Sequence, residues 1–123
     1  MACLIVANGA QQGDFYPLGH RTNVVGRGEA LPIQILDDLV SRKHLQVRYD
    51  AGTQRYYALD MRSRHGVLIN GRRLCDEVVL VEGDHIQIGR TMLLFTEEEI
   101  NDRQSALGHF KKVGERMRPT QIQ

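Results

Sequence analysis

Leu45-Gln46-Val47-Arg48-Tyr49 alternates apolar and polar residues; Asp50-Ala51-Gly52 then turns the chain into Tyr57, Leu59 and Met61, again spaced by two. Side chains two apart share one face of an extended chain, so the stretch reads as consecutive strands. The same rhythm extends in both directions. Upstream, Leu4–Ala7, Phe15–Leu18, Asn23–Val25 and Ile33–Ile35 are short apolar runs separated by Asn8-Gly9, Gly13, Gly19 and Gly26. Downstream, Val67-Leu68-Ile69 meets Asn70-Gly71, two residues that tolerate positive φ and so mark a tight hairpin. Val78–Val81, the pair Ile86 and Ile88, and Met92–Phe95 complete the series. Ten or eleven strands within about ninety-five residues leave no room for crossover helices. The expected fold class is an all-β sandwich.

Composition narrows the function classes. A chain of 123 residues suits one domain, and 41% hydrophobic with 25% charged residues is the mix of an ordinary soluble globule. The formal charge of +1 argues against a general nucleic-acid binder. It also hides an asymmetry, because residues 21–73 carry ten Lys/Arg against five Asp/Glu. The basic half can therefore hold a focused anion site. Cys3 and Cys75 are far apart and lack the ligand spacing of a metal cluster, so two reduced thiols and neither metal nor cofactor are expected. The first apolar run, Cys3–Ala7, is too short for a signal peptide or a membrane span. The expected setting is the cytoplasm, with no membrane partner.

The pattern changes at Thr96. Thr96-Glu97-Glu98-Glu99 has the form of a capping box, after which Ile100, Leu107, Phe110, Val113 and Met117 fall near one helical face. Lys111, Lys112, Arg116 and Arg118 crowd the far end, where they oppose the helix dipole. The expected division is a sandwich over 1–96 and a helical extension over 97–123, which either caps the sandwich or mediates a homodimer.

No catalytic set stands out. The sequence has no phosphate-binding loop followed by Lys and no serine in a glycine elbow, and His20, His44, His65, His85 and His109 are scattered singly. A non-enzyme is expected. Four other blocks recur in order: Gly26-Arg27-Gly28; Val40-Ser41-Arg42-Lys43-His44; Asp60-Met61-Arg62-Ser63-Arg64-His65-Gly66 leading into Val67-Leu68-Ile69-Asn70-Gly71; and Glu82-Gly83-Asp84-His85-Ile86-Gln87-Ile88-Gly89. In this order and spacing the chain resembles a forkhead-associated (FHA) domain over roughly residues 3 to 96.

That resemblance implies an eleven-stranded β-sandwich binding phosphothreonine peptides through loops at one end. It gives Arg27 and Ser41 the phosphate, with Arg42 beside them touching phosphate or peptide backbone. It makes Gly26 the residue that lets the chain turn, Gly66 a support of the loop, and His44 a brace between the binding loops. The chemistry suits the task, since Arg offers a dianionic phosphate fixed parallel donors that Lys lacks. One block departs from the pattern. Where the family carries a small hydroxyl residue and an Asn that binds the peptide backbone, this chain has Arg64 and His65. A retuned peptide clamp follows, and the basic pair Arg62 and Arg64 favours acidic residues after the phosphothreonine. The expected partner is a phosphorylated protein whose phosphothreonine motif is made by a Ser/Thr kinase. The alternative is a phospho-independent interaction or scaffold module using the same sandwich and its C-terminal helix.

Overall fold

The computed structural model describes residues 2–100 and 105–108. Among them are eleven strands in two sheets. The first runs in the order β2 (Phe15–Pro17), β1 (Cys3–Val6), β11 (Thr91–Thr96), β10 (His85–Ile88), β7 (Val67–Ile69), β8 (Arg72–Arg73). The second runs β4 (Ile33–Gln34), β3 (Thr22–Gly26), β5 (Leu45–Asp50), β6 (Arg55–Asp60), β9 (Val78–Val79). Leu4, Val6, Ile86, Leu93 and Phe95 from the first sheet and Val25, Leu45, Val47 and Ala58 from the second bury against one another. That shared apolar layer makes the fold a sandwich, the predicted class.

The Asn70-Gly71 signal is realised as expected: both residues have positive φ, 52° and 84°, and the two-residue turn sets Ile69 opposite Arg72. The strand this hairpin creates, β8, consists of two exposed arginines and has no apolar signature of its own. In β6 the phase is the reverse of the apolar spacing read from Tyr57, Leu59 and Met61. Tyr56 and Ala58 are the buried pair, set opposite Tyr49 and Val47. Tyr57 instead lies on the outer face, where the Arg48 guanidinium sits 4.7 Å from its ring centre.

The Thr96 capping box does not form. Thr96 is the last residue of β11; its hydroxyl donates to Glu82 Oε2 at 2.7 Å and accepts from the Glu98 amide at 3.0 Å. Residues 105–108 are helical, and Ile100 and Ala106 pack on Cys3, Ile5 and Leu94. This second apolar cluster covers the outer face of the first sheet, which is why all of β1 is buried. Phe110, Val113 and Met117 of the expected helical stripe, and the basic cluster from Lys111 to Arg118, lie outside the described residues.

Candidate functional site

Three loops form the site: β3–β4 (27–32), β4–β5 (35–44) and β6–β7 (61–66). The Arg27 amide donates to the Ser41 carbonyl at 3.0 Å, and the Arg64 amide donates to Ser41 Oγ at 3.0 Å. Ser41 thus joins all three loops.

His44 lies beneath them, fully buried. The Ser41 amide donates to its Nδ1 at 3.0 Å, so that nitrogen is the acceptor. Nε2 therefore carries the ring hydrogen and donates to the Gly66 carbonyl at 2.8 Å. One imidazole fixes the loop bearing Ser41 to the end of the loop bearing Arg64 and His65. Gly66 itself has φ of 83°, which a side chain would strain.

Gly26 acts differently from the expected turn residue. It belongs to β3 and is absent from the positive-φ set. Its requirement is steric: a Cβ there would collide with the carbonyl oxygen of Arg42 and lie 2.8 Å from that of Ser41. Only glycine lets these backbones approach closely enough for the Arg27 amide to reach Ser41.

Arg27, Ser41, Arg64 and His65 line one open cavity of about 400 Å³, together with Asp38, Leu39 and Val40. Arg42 faces a neighbouring cavity of about 500 Å³ that shares Arg27. Its side chain is therefore beside the first cavity, not within its lining. Arg27 is oriented by its Nε, which donates to the Val40 carbonyl at 3.0 Å. Among the described residues, none of Arg27, Arg42 and Arg64 forms an ion pair, whereas Arg48 is held by Glu77 at 2.7 Å. Unpaired, exposed guanidiniums around a concave surface with a hydroxyl at its base suit a small dianion. Among the described residues no group of three or more His, Cys, Asp or Glu is arranged to hold a metal ion.

Two acidic residues of the Asp37-Asp38 turn, not assigned to the site from the sequence, belong to it or support it. Asp38 adds a negative charge to the cavity wall. Asp37 anchors the β4–β5 loop: Oδ1 accepts from the Leu39 amide at 2.9 Å, and Oδ2 from the Arg90 amide and the Thr91 hydroxyl, each at 2.8 Å. Partial burial pushes its carboxyl up, but the hydrogen bonds from Leu39, Thr91 and Arg90 outweigh that and hold it below the usual carboxylate range. The local Asx turn was legible as the Asp37-Asp38 pair. Its partners on the β10–β11 turn, more than fifty positions away, were not.

Comparison with known proteins places this geometry in a family. The FHA domain matches residues 23–89, more than half of the chain. The glycogen accumulation regulator GarA of Mycolicibacterium smegmatis is 34% identical over 94 residues, covering 76% of this chain and 58% of that protein. The chain thus spans little more than half of that relative. EmbR of Mycobacterium tuberculosis, solved with a low-affinity phosphopeptide, superposes with a TM-score of 0.71 at 30% identity, covering 81% of this chain and 25% of EmbR. The FHA domain of FhaA, solved in complex with another protein's intracellular domain, gives 0.69 at 28% identity, covering 77% and 99%. With its sandwich, its four sequence blocks and this match, the chain belongs to the FHA domain family.

Proposed function

We propose that the chain is a phosphothreonine-dependent binding module for a phosphorylated partner protein, with a role in recognition and not in catalysis. The observation that carries this reading is the convergence of Arg27, Ser41, Arg64 and His65 on one open cavity, with both guanidiniums free of ion pairs among the described residues. Arg27 and Ser41 take the phosphate, and Arg64 adds charge. His65, exposed and with no hydrogen bond among the described residues, contacts the peptide backbone. Arg42 serves the peptide from the neighbouring cavity. His44, Gly26 and Gly66 hold the loops. A phosphopeptide complex of EmbR, an FHA relative in structure, supports the reading.

Residues 1–96 form the recognition module in this reading, and 97–123 an extension, of which Ile100 and Ala106 cover the outer sheet face. A homodimer through the C-terminal helix is the second reading of the same extension. No described helix is long and apolar enough to cross a membrane. This reading places the chain in the cytoplasm, with neither nucleic acid nor membrane as a partner.

The test is calorimetry on one captured partner, phosphorylated and phosphatase-treated, against the wild-type chain and Arg27→Ala. Truncating a charge-assisted pair costs about 2–5 kcal/mol, at least thirty-fold in affinity. Unchanged affinity in Arg27→Ala overturns the site. Equal binding of both partner forms favours the phospho-independent scaffold instead.

A further inference from the structure

The edge strands β8 and β9 carry a surface that the phosphate site does not use. Val78 and Val79, which make up the edge strand β9, are 36% and 37% exposed, and Val81 is 48% exposed. Single apolar residues at a surface are ordinary, but three within four positions, on an edge strand and just beyond it, mark a place for another chain. With Ile69, Leu74 and the exposed Cys75 they line a cavity of about 480 Å³. Residues of both edge strands, β8 of one sheet and β9 of the other, contribute to it.

The polar groups around this cavity favour one kind of occupant. Arg72 and Arg73 line it, and neither forms an ion pair among the described residues. The carboxylate in the lining, Asp84, is already committed: it accepts from Asn70 Nδ2 and from the Val81 amide, each at 2.8 Å. An aliphatic side chain with acidic neighbours complements such a surface.

Arg73 brings this cavity's wall next to the loop of the phosphate site. The Arg73 guanidinium lies over Gly66, where a Cβ would stand 3.0 Å from its terminal nitrogen. Gly66 follows His65, which lines the phosphate cavity. His65, Gly66 and Arg73 therefore form a bridge from one cavity to the other.

We propose that the β8–β9 cavity is a second recognition site for the same partner, taking an aliphatic side chain from an acidic segment that flanks the phosphothreonine. The proposal rests on the phosphothreonine reading and adds a specificity site to it. The test uses a phosphothreonine peptide library with about five degenerate positions on each side, a reach of roughly 17 Å in extended chain. It is applied to the whole chain and to the Val79→Lys and Val81→Lys variants, with thermal unfolding confirming that each is folded. Wild type should enrich Leu, Ile or Val at one flanking position with Asp or Glu beside it. Each variant should lose that enrichment by about ten-fold, the worth of burying one aliphatic side chain, while still selecting phosphothreonine over threonine. Aliphatic selection that survives in both variants overturns the second site, as does its absence from a wild type that still requires phosphate. Capture that ignores phosphate overturns the phosphothreonine reading itself, and the second site with it.

Discussion

The Arg64 amide donates to Ser41 Oγ across 3.0 Å, and this bond orients the serine hydroxyl before any ligand arrives. With one lone pair engaged by Arg64, the hydroxyl hydrogen is free to turn outward and donate. Ser41→Ala removes both the donor and the hook. A hydrogen bond to a charged group is worth about 1.5–3 kcal/mol, so phosphopeptide affinity should fall about ten- to a hundred-fold by calorimetry. Amide exchange of residues 62–66 should quicken in the same variant, because their tie to the neighbouring loop is gone.

Asp38 works against an anion in the cavity that it lines. Asp38→Asn should tighten phosphopeptide binding by about two- to five-fold, as expected for an exposed charge interaction below about 1 kcal/mol. The gain should shrink as salt is raised, since an exposed charge is screened. Titrations at low and high ionic strength check both points.

Gly26→Ala should destabilise the fold as well as the site. Its new methyl would meet the Arg42 carbonyl, backbone that cannot swing aside like a flexible side chain. Overpacking of this kind costs about 1–3 kcal/mol or more, which would lower the denaturant midpoint with an unchanged slope.

Asp37 gives a pH signature. Its carboxyl is held below the ordinary range in the folded chain, so the unfolded chain binds its proton more readily. The stabilisation it provides is complete above the unfolded value, near pH ~4, and is lost as the pH falls through the lower folded value. Asp50 and Glu77 are shifted in the same direction, so the wild-type acid profile is a composite. Asp37→Asn should be less stable at neutral pH and should lose less stability between pH ~5 and ~2 than wild type. Urea unfolding across that range measures the difference.

The two thiols should react very differently. Cys3 is buried, and burial pushes its thiol pKa up, whereas Cys75 is exposed. Alkylation followed by mass spectrometry should label Cys75 first and Cys3 slowly. A chain ending at Thr96 lacks Ile100 and Ala106, which pack over Cys3, and should label there much faster. Equal Cys3 labelling in both chains would refute the covering role of the extension.

Strands were legible wherever glycine, asparagine or aspartate punctuated an apolar run, because turn chemistry is local. Asn70-Gly71 announced its hairpin, yet Arg72–Arg73 was invisible as a strand, since its pairing comes from the turn and not from burial. The phase of β6 was misleading for another reason. Tyr56 and Tyr57 are equally apolar in sequence, and only the opposing sheet decides which is buried. Thr96 looked like a helix cap because its partner, Glu82, is fourteen positions away. In the candidate site, the sequence blocks named Arg27, Ser41, Arg64 and His65, which line one cavity, and Arg42, which lines the neighbouring one. The anchoring role of Asp37, beyond its turn, was not legible because the partners that create it lie across the sandwich.

The loop that carries Ser41 leaves a strand of the second sheet, yet Asp37 ties it to the β10–β11 turn of the first. A partner bound there would therefore act as a rivet across the seam between the sheets. Slippage of one sheet against the other would release the partner before the domain came apart, and occupancy would in turn resist that slippage. Mechanical or thermal loosening of the sandwich would thus be read out first as loss of grip on the phosphate.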